Sequence, residues 1–430
     1  MEYIVLGLFC ISLLLCISLN ISIICALLAG LILFMLYGRH KGFSWKSLIS
    51  MAINGIKTVS NILITFILIG VMTALWRASG TIPFIVSKAS TLIRPSIFLL
   101  MTFLLNSGLS VLTGTSFGTS ATMGVICASM GSTMGISPML TGGAVLSGAF
   151  FGDRCSPVST SALLVAGITG TDIYKNIRGM IRTSLIPFIA ACVIYFAIGS
   201  SVSAEGPIVD LKDLFSASFQ LEWITVIPAV TIMLLSILHV NVKIAMGLSI
   251  LSAIPICLFV QNISFIEILH TALTGFTPKE EALSSMLSGG GVLSMLKSGL
   301  IVCISSSYSD IFNRTGLLDN VKHSVSSLAG KTNRFTALFC SSIGSAIIAC
   351  NQTLTILLCN QLCSGLYKEK DKLAVDLEDT AVVIAPLIPW SIAGAVPLAT
   401  VGAPSTAIFA SFYLLLLPIY RLRSARYEKN

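Results

Sequence analysis

Two stretches of this 430-residue chain put oxygen-bearing side chains where the surrounding sequence is almost wholly apolar. The first runs from Thr113 to Gly124 (TGTSFGTSATMG) and carries Thr113, Thr115, Ser116, Thr119 and Ser120 with glycines between them. Hydroxyl oxygens suit a hard cation such as Na⁺. The glycines let the backbone leave a helix, freeing carbonyls that lipid cannot satisfy and that belong against a cavity. The second runs from Ser147 to Gly167 (SGAFFGDRCSPVSTSALLVAG) and holds Asp153 and Arg154, then Ser156, Pro157, Ser159 and Thr160. An ionisable residue inside an apolar span marks a functional site by default. Neighbouring helical residues point in different directions, so Asp153 and Arg154 are not expected to neutralise each other. Pro157 should break the helix and leave donors and acceptors near Ser156, Ser159 and Thr160.

The second half of the chain has its own polar interruptions. ACNQTLT places Asn351, Gln352 and Thr353 directly after an apolar run, and carboxamide oxygens can hold a dehydrated cation or a substrate. DLEDTAVVIAPLIPW follows, with Asp376, Glu378 and Asp379 ahead of an apolar run broken by Pro386 and Pro389 and closed by Trp390. Na⁺ ligands are expected among Thr115, Ser116, Asp153 and Asn351. Each feature also has a plainer reading. Small residues serve close helix packing, and buried amides serve interhelical hydrogen bonds. Gly152-Asp153-Arg154 reads equally as a turn at the water interface, acidic residues before a helix complement its dipole, and Trp390 as an interfacial anchor.

The elements that carry these groups must lie in a bilayer. Hydrophobic residues make up 55% of the chain and charged residues 10%, with a mean hydropathy of +0.93. A soluble domain carries about 25% charged residues, so a soluble fold would expose large apolar patches. At about 20 apolar residues per span, spans are expected near 3–19, 21–37, 58–76, 96–113, 184–202, 223–240, 244–261, 293–311, 335–350 and 403–420. Residues 3–19 lack a basic leader and a small-residue cleavage site, so a retained span is expected there. The interrupted stretches 114–171 and 351–402 lie between spans. The net charge of +8 sits at span ends (Arg39, Lys41, Lys46; Lys175, Arg178, Arg182; Arg421, Arg423, Arg426), which reads as a topology signal and not as nucleic-acid binding. The 12 cysteines form no CxxC pair and the four histidines are scattered, so no metal cluster is expected.

The halves repeat. ALWRASGTIPFIVSK around Gly80 matches DIFNRTGLLDNVKH around Gly316, and the same separation relates Gly108 to Gly344 and Ser116 to Gln352. Paired broken helices in two halves point to a transporter site at the bilayer midplane. The segments 77–94 and 313–334 are both basic, which favours the same side of the membrane, whereas paired broken helices favour inversion, and inversion is the expectation taken. The fold expected is an all-α polytopic membrane protein with about 10–13 spans, in two repeated halves with broken helices or re-entrant hairpins. Its divisions are N-terminal spans at 1–43, a first transport repeat at 44–202, a net acidic linker at 203–222, connecting spans at 223–292, a second repeat at 293–422 and a basic tail at 423–430. No HExxH or Walker A pattern occurs, and neither an enzyme nor an ATP-driven pump is expected.

Taken jointly, LTGTSFGTSATMG, SGAFFGDRCSPVS and LEDTAVVIAPLIPWSIAGA resemble the NhaC-type sodium/proton antiporter family across roughly residues 45–420. The resemblance implies repeated halves with re-entrant hairpins, a multi-pass protein of bacterial inner-membrane type, Na⁺ and/or H⁺ as coupling ions, and no other cofactor. Members commonly carry Asp where this chain has Asn351 and Thr160. That departure leaves Asp153, Glu378 and Asp379 as the acidic candidates and raises the claim of an organic substrate. Cation-coupled antiport is therefore the leading expectation. Uptake or exchange of a small organic anion or amino acid is the second, and a non-transporting scaffold or sensor the third. The partners expected are the lipid bilayer and a small ion or solute, and a homodimer stays open.

Overall fold

The computed structural model describes residues 2–19, 21–57, 59–89, 94–157, 159–201, 215–216, 218–238, 240–278, 280, 283, 287–317 and 319–425. Residues 203–214 of the expected linker and 426–430 of the basic tail lie outside them. The described residues are overwhelmingly helical, and their one β contact is an isolated bridge between Phe276 and Gly289.

The first half runs through α1 (Glu2–Ser18), α2 (Ile23–His40), α3 (Trp45–Lys57), α4 (Ser60–Ala78), α5 (Thr81–Ala89) and α6 (Pro95–Thr113). The hydroxyl-rich stretch then breaks into α7 (Ser116–Thr119), a π-helical turn over Ser120–Gly124 and α8 (Val125–Thr133). It is followed by α9 (Pro138–Cys155), α10 (Thr160–Thr169) and the long α11 (Ile173–Ser201). Connecting elements are α12 (Ile227–Ile237), α13 (Val242–Pro255) and α14 (Phe265–Thr274). The second half comprises α15 (Leu296–Thr315), α16 (Asp319–Lys331), α17 (Arg334–Ala349), α18 (Gln352–Cys363), α19 (Lys370–Asp379), α20 (Ala381–Ile384), α21 (Ile392–Thr400) and α22 (Phe412–Ser424).

Among the described residues, five helical segments are long and apolar enough to cross a membrane singly: Ile23–His40, Pro95–Thr113, Ile173–Ser201, Val242–Val260 and Val292–Phe312. Two further pairs do so together, Trp45–Lys57 with Ile62–Ala78, bent by 45°, and Lys370–Leu387 with Ile392–Thr400, bent by 56°. Shorter apolar helices, among them Arg334–Ala349 and Thr160–Thr169, complete the set. Leu14, Ile32, Leu185 and Leu251 remain exposed on outer faces, the surface that lipid requires. This is a multi-pass, all-helical membrane protein. The expected span at 403–420 is divided instead into a 3-10 turn at Ser405–Ala410 and α22. Pro404 and Ser411 bound that turn, and neither continues a helix well.

The site is held by the contact of α6 with α9. A Cβ on Gly148 would sit 2.6 Å from the Phe103 carbonyl oxygen, and one on Gly152 2.3 Å from the Val111 amide. Only glycine admits so close an approach, the small-xxx-small packing of membrane helices. Across this pair lies α11, whose Tyr195 hydroxyl donates to the Ala410 carbonyl at 2.8 Å and is hydrogen-bonded to Ser147. The last turn of α9, with Asp153 and Arg154, is thereby fixed in the protein interior.

Candidate functional site

Both polar interruptions fold into the same turn. At the end of α6, Gly114 adopts the left-handed conformation (φ 64°, ψ 27°), and Thr115 follows extended (φ −150°, ψ 124°). At the end of α17, Cys350 takes the same conformation (φ 56°, ψ 8°) and Asn351 the same extension (φ −150°, ψ 155°). These pairs keep the separation seen for Gly80 and Gly316, which also share a left-handed backbone. A left-handed residue is natural for Gly114 and uncommon for Cys350, so the second turn is held by its surroundings. Each extended residue caps the helix that follows. Thr115 Oγ1 accepts from the Gly118 amide at 3.3 Å and Asn351 Oδ1 from the Leu354 amide at 2.8 Å. These side-chain oxygens satisfy backbone donors that a helix start leaves open.

The two turns face one cavity of ≈ 580 Å³. Thr113, Thr115 and Thr160 of the first half and Asn351, Gln352 and Thr353 of the second lie on its wall. The second turn is also tied to the broken helix α21, because the Cys350 carbonyl accepts from the Ile392 amide at 2.9 Å. Thr160 and Asn351, the two positions where the family resemblance leads one to expect aspartate, thus face the same space. Ser116 and Thr119 are buried behind the wall. Thr119 Oγ1 donates to the Thr115 carbonyl at 2.9 Å and lies 3.1 Å from Thr113 Oγ1.

Asp153 stands one layer behind this wall. It is 3% exposed, in the last turn of α9 and not in an interfacial turn. Ser159 Oγ donates to its carboxylate at 2.9 Å, and Ser161 Oγ reaches its carbonyl. The Gln352 carboxamide interacts with the same carboxylate while its Nε2 donates to the Val382 carbonyl at 3.2 Å. Asp153 therefore meets the cavity through Gln352, a residue of the other half. Ser159 also accepts from the Ser161 and Ala162 amides as the cap of α10. Ser156 is fully buried in the break between α9 and α10.

Arg154 turns the other way. Its guanidinium is 0% exposed and pairs with Asp379. It also donates to the Glu378 carbonyl at 3.2 Å, the Met180 carbonyl at 3.2 Å, the Tyr413 hydroxyl at 3.1 Å and the Ser184 hydroxyl. Arg421 extends the cluster, 2.8 Å from Asp376 and 2.8 Å from Asp379. Asp379 is thus engaged by two arginines and is absent from the cavity wall. Glu378 is different again: it is 0% exposed, and among the described residues neither carboxylate oxygen has a hydrogen-bond partner. Asp153 and Arg154 both act on it electrostatically. Trp390 is not on the cavity wall; it is buried, and its Nε1 donates to the Ile347 carbonyl at 3.0 Å.

The cavity also has walls that the sequence did not announce. Thr65 of α4 and Asn241 and Lys243 at the start of α13 line it. Asn241 caps α13 by accepting from the Lys243 amide at 3.0 Å. The polar HVNVK between two apolar runs was the available signal and reads as an ordinary turn. Thr65, alone in an apolar run, gave none.

Paired broken helices around a polar cavity inside a multi-pass cell-membrane protein define a secondary transporter. The chain belongs to the Na+/H+ antiporter family, whose model matches residues 2–170 and 148–420. It is 29% identical over 408 residues to the Na(+)/H(+) antiporter NhaC of Alkalihalophilus pseudofirmus, covering 92% of this chain and 87% of that protein. It is 30% identical over 392 residues to the Na(+)/H(+) antiporter NhaC of Bacillus subtilis, covering 88% and 86%. The Malate-2H(+)/Na(+)-lactate antiporter of Bacillus subtilis is 27% identical over 385 residues, covering 87% and 82%.

Proposed function

We propose that this protein exchanges Na⁺ for H⁺ across the cell membrane, with the cavity between the two turns as the ion's binding place. The two halves are taken as inverted repeats, each contributing one turn. The observation that carries the reading is a buried carboxylate, Asp153, behind a polar cavity wall that both halves build, with Thr160 of its own half and Asn351 and Gln352 of the other. A carboxylate behind a wall of hydroxyl and carboxamide oxygens can take a proton or share a cation, but not both at once. Competition for one carboxylate makes exchange obligatory, because the site crosses the membrane occupied by one ion or the other. Glu378, buried and without a hydrogen-bond partner, needs a proton or a cation as its companion. It is the second carboxyl group proposed to take part. Asp379 is assigned to the arginine cluster and not to the ion.

Proteoliposomes loaded with the purified protein test this. Na⁺, and Li⁺ more weakly, should dissipate an imposed pH gradient, while K⁺ should not. No response to any cation would overturn the reading.

One observation favours a second substrate class. Lys243 lies on the same wall, and ≈ 580 Å³ is far more than a dehydrated Na⁺ fills; it is the size of a small-solute pocket. A small organic carboxylate exchanged together with Na⁺ or H⁺ would use Lys243 as its counter-charge. Counterflow of a labelled carboxylate that disappears in Lys243→Gln would establish this form.

A further inference from the structure

A second polar cavity lies at the far end of the helices that wall the first. Ile62 and Thr65 of α4, Phe117 of α7 and Ile392 of α21 border the larger cavity. Arg77 of α4, Ser129 and Ser132 of α8, and Val401 and Gly402 just past α21 border the smaller one, of ≈ 120 Å³. Along α4 alone, the fifteen residues from Ile62 to Arg77 rise by about 22 Å at about 1.5 Å each. The two spaces are therefore separate sites at opposite ends of a shared wall.

The smaller cavity holds a buried positive charge with little to balance it. Arg77 is 7% exposed. Its Nη1 donates to the Thr73 carbonyl at 2.8 Å, and its Nε, buried, has no hydrogen-bond partner. Among the described residues no carboxylate forms an ion pair with this guanidinium, which is buried. Arg154 and Arg421, by contrast, are each paired with aspartate. Opposite Arg77 the cavity is closed by the first turn of α9, where Pro138, Thr141 and Gly142 lie. Thr141 is 2% exposed and its Oγ1 also lacks a partner. A helix N-terminus favours negative charge. The α4, α8 and α21 helices end here as well, and their carbonyls compete for the guanidinium, yet only the Thr73 carbonyl of α4 takes a hydrogen bond from it.

We infer that this cavity is a binding site for a small monocarboxylate anion. A planar guanidinium matches the two oxygens of a carboxylate, and the Thr141 hydroxyl supplies a further donor. The ≈ 120 Å³ available is room for a small anion such as formate or acetate, and a single guanidinium would leave the second charge of a dicarboxylate buried and unpaired. The site is distinct from the Na⁺/H⁺ exchange proposed above and does not depend on it.

The test is thermal unfolding of the purified, detergent-solubilised protein at constant Na⁺ and ionic strength, titrated with acetate, formate, succinate or chloride. Acetate and formate should raise the midpoint saturably, and succinate and chloride should not. The shift should be lost in Arg77→Gln, restored in part in Arg77→Lys and unchanged in Lys243→Gln, which removes the positive charge from the larger cavity. Should Arg77→Gln fail to fold, Thr141→Val serves in its place, and the apparent acetate affinity should fall at least threefold. No saturable response to either monocarboxylate, a response to chloride alone, or an acetate shift that survives in both Arg77→Gln and Thr141→Val would overturn the proposal. So would an acetate shift lost in Lys243→Gln, which would place the anion in the larger cavity.

Discussion

Asp153 and Arg154 are adjacent in the chain and equally hidden, yet they enter opposite kinds of environment. Arg154 is held by Asp379, two carbonyls, Tyr413 and Ser184 in a cluster that joins α9, α11, α19 and α22. Asp153 accepts from the Ser159 hydroxyl and, among the described residues, pairs with no cation. A charge fully paired in a rigid shell has no reason to exchange its partner, while a carboxylate with neutral neighbours beside a cavity does. The difference teaches that intramembrane charge divides into a fastening part and a working part, and that the helix period alone separates the two here.

Five substitutions test that division. Arg154→Ala should have the largest effect on folding. Removing one member of a buried pair costs about 3–5 kcal/mol, so the protein should fall sharply in membrane abundance and in unfolding temperature. Normal abundance would show that the cluster is not a fastener. Asp153→Asn should do the reverse. The amide still accepts from Ser159, so stability should change by less than about 1 kcal/mol, while Na⁺-driven proton movement disappears. Thr115→Val and Asn351→Leu come next. Each removes a helix cap worth about 1 kcal/mol and an oxygen at the cavity, and each should weaken apparent Na⁺ affinity about tenfold, or 1.4 kcal/mol. A loss of stability without a loss of affinity would make these turns purely structural. Lys175→Ala comes last. It breaks an exposed pair with Asp371, and such pairs contribute little, so neither unfolding temperature nor exchange should change measurably.

Much of this arrangement was legible in the sequence, for identifiable reasons. Thr113–Gly124 and Asn351–Thr353 stood out because lipid penalises polar groups, and the constant separation between the halves linked the two stretches. Gly114 and Cys350, which stand at that same separation, share a left-handed turn. What the sequence hid depended on direction and on partners distant in the chain. Asp379 looked as free as Glu378, since nothing local shows that Arg154 and Arg421 reach one and not the other. Trp390 was ambiguous until its indole was found bonded to the Ile347 carbonyl. Lys243 passed as a loop charge because its place on the cavity wall depends on how α13 packs against the transport halves.

The central claim is that one carboxylate, Asp153, takes Na⁺ and H⁺ in turn. It is tested most directly by adding Na⁺ to the purified protein in weakly buffered solution and recording proton release. A ligand that must lose its proton to bind a metal makes binding pH-dependent and releases that proton. The wild-type protein should therefore release protons saturably as Na⁺ is added, with an apparent affinity that weakens as the pH falls. Asp153→Asn should release none, and Asp153→Glu should recover part of the release. Proton release of wild-type size in Asp153→Asn would contradict the account and transfer the exchange to another carboxyl group, with Glu378 the first to examine.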